Sequence, residues 1–327
     1  MRAIVSSADG PVLRDIPRPS PGPEEVLVQV KAGSLNRADL AMLKGSSHGR
    51  VGGMGTPLGL EWAGEVVEVG DRVKRWRVGD RVMAAGGGAF AEYAVGHARR
   101  LYPLPNDLPF EQAAALPVAL QAMHDAIATN GMLEAGQSVV IQGASSGVGL
   151  MGLQIARYLR AGLVIGTSTS PQRRERLKEF GADLTIDTRA PDWVAQVLEA
   201  TGGKGVDLLI DLLAGPLTNG NLAATRIGGR IVNVGRMAGE TGEFNFDLHS
   251  MRRITYVGVT FRTRSAAQVE AINEKVTRAL LPALAQGALR LPIDRVLPRN
   301  KLPRRSNTWR TTGISARSCW QTFERQR

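Results

Sequence analysis

The apolar positions of this chain change rhythm near residue 116 and lose all regularity after Pro298. Before the first change, apolar runs are short and alternate with period two. Glu25–Val30 (EVLVQV) alternates polar and apolar as a half-buried strand does, and Pro17, Pro19, Pro21 and Pro23 ahead of it form a stiff connector. Glu65–Val69 (EVVEV) repeats the pattern before the turn Gly70-Asp71, and Val78–Val82 (VGDRV) predicts a turn entering a strand. From Leu116 to Arg262, strand runs alternate with helix-patterned stretches. Val139–Ile141, Leu163–Thr167, Leu208–Asp211, Arg230–Val234 and Thr255–Val259 predict strands, with helices over Pro171–Phe180 and Asp192–Ala200. That alternation implies an α/β fold with a doubly wound, mainly parallel sheet. Residues 265–290 return to helical spacing through Val269, Ile272, Val276 and Leu280, and Leu291–Val296 predicts another strand.

After Pro298 no amphipathic face remains, and Pro303 and Gly313 interrupt any helix, so residues 299–327 are expected to pack poorly. They hold eight Lys/Arg and one acid, Glu324, which places +7 of the chain's net charge of +11 in this tail. The remaining +4 is no electrostatic reason to expect a polyanion, and a basic tail is more often solvated than bound to nucleic acid. At 327 residues there is length for roughly two domains. No apolar run approaches the ~20 residues of a membrane span, and the opening MRAIVSSADGP lacks the apolar core of a signal peptide. The single cysteine, Cys319, excludes an intrachain disulfide and fits a reducing compartment. The expectation is a cytoplasmic protein.

Within Ser138–Arg157 the β-branched run Val139-Val140-Ile141 enters a Gly/Ser turn and a helix-patterned stretch leaves it. The turn contains Ser145, Ser146 and Gly147-Val148-Gly149-Leu150-Met151-Gly152, a G-x-G-x-x-G in strand–turn–helix context. On this pattern Gly147 serves the tight turn, Gly149 lets backbone approach a pyrophosphate, and Gly152 lets the helix pack on the sheet. The helix N-terminus offers N–H groups and a positive dipole end to phosphates, so dinucleotide binding is expected. An NAD site usually places an acid about 20 residues further on, for the ribose diol. Here Gly166-Thr167-Ser168-Thr169-Ser170 has no acid, and Arg173 and Arg174 follow. Small hydroxyls and a guanidinium suit a 2′-phosphate, which favours NADPH over the plainer reading of two solvated arginines.

Catalytic zinc needs about three His, Cys or carboxylate ligands. His48, His97, His124 and His249 show no paired ligand spacing, and the sole cysteine lies in the tail, so no metal is expected. Gly59-Leu60-Glu61-Trp62-Ala63-Gly64-Glu65-Val66, Gly79-Asp80-Arg81-Val82 and Gly88-Ala89-Phe90-Ala91-Glu92-Tyr93 resemble the medium-chain dehydrogenase/reductase superfamily. Leu35-Asn36-Arg37-Ala38-Asp39-Leu40 and Gly143-Ala144-Ser145-Ser146-Gly147-Val148-Gly149 are similar to its zinc-independent quinone oxidoreductase branch. The resemblance covers about residues 1–298. Where the zinc enzymes carry a cysteine and a histidine, this chain has Ser34 and Leu60.

The resemblance implies a GroES-like catalytic domain over 1–118, a Rossmann domain over 119–262, a return to the catalytic domain over 263–298, and an active site between the two. It implies Asn36 near the nicotinamide ribose, Gln121 near the nicotinamide, Gly235 at the carboxyl end of its strand, and Phe261 and Arg262 beside the cofactor. It also implies a homodimer through edge strands near Thr255–Val259. Two departures stand out. The loop after NRADL reads KGSSHGRVGG over Lys44–Gly53, so Ser47 or His48 holds the place where relatives carry a tyrosine, and a surface histidine in a glycine-rich loop is the plainer reading. Past Ile293–Pro298 the family's closing helix and strand are not recognisable, and we read residues 299–327 as a frameshifted or misassigned translation, a reading that resequencing tests. The expected function is hydride transfer from NADPH to quinones or conjugated carbonyls, with the proton from water, Ser47 or His48. The alternatives are a 2-enoyl or 2-alkenal reductase and a non-catalytic NADPH-binding protein that contacts RNA through its tail.

Overall fold

A computed structural model describes residues 1–8, 10–43, 46–49, 51–298 and 317–321. The chain divides into two compact units. The first comprises Met1–Val118, Phe261–Ala285 and the described chain from Arg290; the second comprises Ala119–Thr260 and Gln286–Leu289.

The first unit opens with the antiparallel hairpin of β1 (Arg2–Ser7) and β2 (Gly10–Asp15). Its main sheet is built on β3 (Glu25–Ser34), followed by the short helix α1 (Asp39–Met42) and the hairpin of β4 (Ser47–His48) and β5 (Val51–Gly52). Next come β6 (Glu61–Val69), β7 (Arg81–Ala85), β8 (Tyr93–His97), β9 (Tyr102–Pro103) and helix α2 (Phe110–Ala114). β3 pairs antiparallel with β6 on one edge and β8 on the other, and β7 and β9 extend the β6 side. β3 runs four residues past its predicted end because Ala32, Gly33 and Ser34 are buried on both faces, which erases the alternation. β6 crosses β3 so closely at Gly64 that a Cβ there would lie 2.1 Å from the Gln29 carbonyl oxygen. Leu58, Trp62, Phe90 and Met42 fill the core of this unit.

The second unit begins within α3 (Pro117–His124). Its strands are β10 (Ser138–Gln142), β11 (Leu163–Thr167), β12 (Leu184–Ile186), β13 (Val206–Asp211), β14 (Thr225–Asn233) and β15 (Thr255–Gly258). They form one parallel sheet in the order β12-β11-β10-β13-β14-β15, the doubly wound topology expected. Helices α4 (Gly147–Tyr158), α5 (Pro171–Glu175), α6 (Trp193–Ala200), α7 (Thr218–Ala224) and α8 (Phe246–Arg252) make the connections. Val140, Ile165, Leu209 and Ile231, all fully buried, show why the strands read as short continuous apolar runs. The helix predicted over Pro171–Phe180 is α only to Glu175 and tightens to a 3-10 turn over Arg176–Phe180, ended by Gly181 at φ 100°.

The chain then returns through α9 (Ala266–Ala285) and β16 (Ile293–Pro298) to β17 (Arg317–Gln321). α9 is held to the first unit by a 2.9 Å hydrogen bond from Tyr102 Oη to Asn273 Oδ1 and by Glu270, which faces His97, Arg99 and Arg100. β17 lies between β16, to which it is parallel, and β3, to which it is antiparallel along Ala32–Ser34. The expectation of no closing strand beyond Pro298 is therefore corrected over 317–321. The free backbone edge of β3 supplies the pairing that side-chain patterning did not announce. Expectations for 299–316 and 322–327 fall outside the described residues. Among the described residues no helix is long and apolar enough to cross a membrane.

Candidate functional site

In the second unit the strand order reverses at β10, so the loops after β10, β11, β13 and β14 share the carboxyl edge where open α/β sheets bind ligands. Gly143 leaves β10 at φ +70°. The tight turn expected of Gly147 is therefore made four residues earlier, and Gly147 is instead the first residue of α4. A Cβ on Gly149 would lie 2.6 Å from Ala144 Cα, so this glycine serves close packing of α4 on the turn. Gly152 packs as expected, although its neighbour is Met123, whose Cε would be 2.1 Å from a Cβ. Ser146 caps α4, its Oγ accepting from the Gly149 N–H at 3.1 Å. Among the described residues the N–H groups of Gly147 and Val148 have no acceptor, which leaves two donors at the positive end of the helix.

Next to that turn, Thr167 is fully buried: its hydroxyl donates to Gln142 Oε1 at 2.7 Å and accepts from the Gly143 N–H at 3.0 Å. It shapes the turn rather than offering a free hydroxyl. Ser168 Oγ donates to Ser145 Oγ at 3.0 Å, so two predicted site residues meet here. Arg173 is half-buried, and its guanidinium has no partner among the described residues. Arg174 is engaged with the Ser168 carbonyl at 2.8 Å and with Asp187 at 3.0 Å. Arg189 pairs with the same carboxylate at 3.0 Å and also donates to the Thr169 carbonyl. Hydrogen bonding to Arg189 is the main cause holding the Asp187 carboxyl at a pKa of about 2. Asp187 and Arg189 were not legible as site residues; only the pairing of Thr167 with Ile186 brings them beside Ser168.

At the other side of β10, buried Asp211 ends β13, and its Oδ1 accepts from the N–H groups of Leu213 and Ala214, each at 2.8 Å. Burial pushes its carboxyl above the ordinary range against those bonds. Gly235 follows β14 so close to Leu212 that a Cβ would sit 2.5 Å from its carbonyl oxygen, and the Asn233 amide donates to the Gly235 carbonyl at 3.0 Å. Gln121 is buried on α3.

In the first unit, the predicted Asn36 follows β3 and meets a carboxylate that sequence reading did not assign to the site. Glu61 is fully buried; its Oε1 accepts from Ser34 Oγ at 2.5 Å and Asn36 Nδ2 at 2.8 Å, and its Oε2 from the Val118 N–H at 2.9 Å. His48 is half-buried on β4 while Ser47 is exposed. Burial first, and then the Arg262 charge, hold the His48 imidazole below its ordinary range. Gly49, at φ +63°, passes close to Phe261 and Arg262: a Cβ would lie 3.2 Å from the Arg262 carbonyl oxygen. The structure therefore brings His48, Phe261 and Arg262 together. Ser34 and Leu60, in place of the zinc-enzyme ligands, are both buried, and among the described residues no group of three or more His, Cys, Asp or Glu could hold a metal ion.

These two halves match known families in the same order. Residues 22–106 match the alcohol dehydrogenase GroES-like domain and residues 147–277 the zinc-binding dehydrogenase domain. A quinone oxidoreductase of Lama guanicoe is 34% identical over 72% of this chain and 73% of its own. The chain belongs to the medium-chain dehydrogenase/reductase superfamily, in its quinone oxidoreductase branch. The quinone oxidoreductase of Homo sapiens is 32% identical over 80% of each chain. The solved structure of an alcohol dehydrogenase superfamily protein from Novosphingobium aromaticivorans superposes with a TM-score of 0.88 at 28% identity, covering 98% of this chain and 99% of that one. As a member of this superfamily the chain is an oxidoreductase with a GroES-like and a Rossmann-like domain.

Proposed function

We propose that this oxidoreductase uses NADPH and reduces quinones or related conjugated carbonyls without a metal ion. The observation that carries the cofactor choice is the half-buried Arg173 guanidinium beside Ser168–Ser170, which has no partner among the described residues, while Asp187 on the neighbouring strand end is already paired with Arg174 and Arg189. A carboxylate so engaged is a poor acceptor for a ribose diol, whereas a free guanidinium suits a 2′-phosphate. The open N–H groups of Gly147 and Val148 fit the pyrophosphate. The names of the 34% and 32% identical relatives support a quinone as acceptor.

When bound, the nicotinamide supplies a hydride equivalent. The residues of this chain bind and orient it: Arg173 pairs with the 2′-phosphate, the first turn of α4 holds phosphate oxygens, and Asn36 accepts from the nicotinamide ribose. Gln121, Gly235, Phe261 and Arg262 border the nicotinamide in this reading. No metal is required, because a conjugated acceptor spreads the charge that a simple alkoxide concentrates. The lowered pKa of His48 leaves its imidazole neutral at pH 7, and a neutral imidazole is a poor acid. Water is then the proton source in this reading, since a serine hydroxyl such as Ser47 is no stronger an acid than a neutral imidazole. The reading includes a homodimer through the β15 edge and a cytoplasmic location.

The test is NADPH oxidation by the full chain against quinones, enones and enoyl thioesters, with and without a chelator. Turnover of quinones that is indifferent to the chelator is expected. Turnover of enoyl thioesters or alkenals alone would replace this reading with the 2-enoyl or 2-alkenal reductase. No turnover, with salt-dependent RNA affinity that disappears on deleting residues 299–327, would replace it with the binding protein.

A further inference from the structure

Glu61 contributes no atom to hydride transfer, yet it is a fully buried carboxylate with three hydrogen-bond donors directed at it. An ionised carboxylate only accepts, so a neighbouring amide can face it with its NH2 group alone. Asn36 does so, with Nδ2 2.8 Å from Glu61 Oε1. Its backbone is pinned on both sides: the Asn36 N–H donates to Asp39 Oδ2 at 2.6 Å, and the Asn36 carbonyl accepts from the Asp39 N–H at 3.0 Å. With backbone and Nδ2 both held, Oδ1 is turned to the side of the amide opposite Glu61. Against a neutral group the amide could rotate by half a turn and exchange acceptor for donor at little cost.

We propose that Glu61 is a positioning residue that sets the polarity of Asn36, so that residue 36 presents an acceptor to the nicotinamide ribose hydroxyls. This rests on the reading of Asn36 as a cofactor residue. Glu61 also caps α3 through the Val118 N–H, so its loss has a structural cost that the test must separate from positioning.

The separation uses binding rather than turnover. NADPH and adenosine 2′,5′-bisphosphate share the 2′-phosphate end, but only NADPH has a nicotinamide ribose. Calorimetric titration of E61Q should show NADPH weakened about three- to tenfold, the worth of one hydrogen bond between the neutral amide and a ribose hydroxyl, with the bisphosphate unchanged. The double variant N36D/E61Q restores one carboxylate and one amide with their places exchanged, the introduced amide now donating to the introduced carboxylate. It should bind NADPH within about twofold of wild type. The single variant N36D sets two carboxylates face to face and should lose NADPH affinity like E61Q. If E61Q does not fold, the comparison of N36D with N36D/E61Q carries the same test. Equal weakening of both ligands, unchanged NADPH affinity in E61Q, or a double variant no better than either single would overturn the proposal. A wild-type chain that binds neither ligand would overturn the cofactor reading, and this one with it.

Discussion

Arg173 and Arg174 are adjacent in sequence and differ in everything that matters for binding. Arg174 is already tied to the Ser168 carbonyl and Asp187, whereas the Arg173 guanidinium has no partner among the described residues. Arg173→Ala should therefore weaken NADPH about ten- to a hundredfold and leave NADH unchanged, as read by titration of each dinucleotide. Equal loss for both would remove the 2′-phosphate role. Asp187 makes a second prediction. Folding lowers its pKa from the ordinary value near 3.9 to about 2, so between those values the folded chain binds fewer protons than the unfolded one. Its contribution is then complete above about pH 4 and lost as pH falls toward 2. Melting temperatures from pH 6 to 2.5 should fall less steeply for Asp187→Asn than for wild type, and parallel curves would contradict it. Neither residue pair was separable in the sequence, because the pairing of β11 with β12 decides which arginine has company.

At the level of elements, the β10–turn–α4 unit was legible because a β-branched run, a Gly/Ser turn and a helix-patterned stretch each have a local cause, whereas the cap that Ser146 provides was not read from the sequence. Nor was the division of labour among its glycines. GASSGVGLMG offers glycines at several spacings, and only the backbone shows that Gly143 makes the turn while Gly149 makes the close approach. Gly149→Ala would drive a methyl into backbone at Ala144, which cannot yield as a flexible side chain does. The expected cost is about 1–3 kcal/mol, seen as a lower melting temperature even without cofactor. A variant that melts with wild type would show that the turn can move. β12, with three residues, is too short to show a period, and so it was missed. β17 was missed for a different reason: its partners are the edges of β3 and β16, which no local pattern records. The candidate site followed the same rule. Asn36 stood in a recognisable motif, but the Glu61 that faces it is 25 residues away and is brought there by the pairing of β3 with β6.

For the whole molecule, the two units differ in what they leave uncovered. The outer edge of β15 is unpaired among the described residues, and on neighbouring α8 Phe246 is 75% and Met251 71% exposed. An open strand edge beside apolar side chains favours association with another copy. Light scattering on the full chain at micromolar concentration should give a dimer mass, and a monomer at every concentration would count against the proposed assembly. The place of β17 has a consequence in time. Ser34 on β3 pairs with Cys319, about 285 residues later in the chain, whereas nearly all of the second unit is continuous in sequence. At roughly 5–20 residues per second, that stretch of β3 waits about 15–60 s on the ribosome for its neighbour. The second unit can fold in that interval, so the nascent chain carries a finished parallel-sheet unit while the sheet edge of the first unit is still open to chaperones or to misplaced strands.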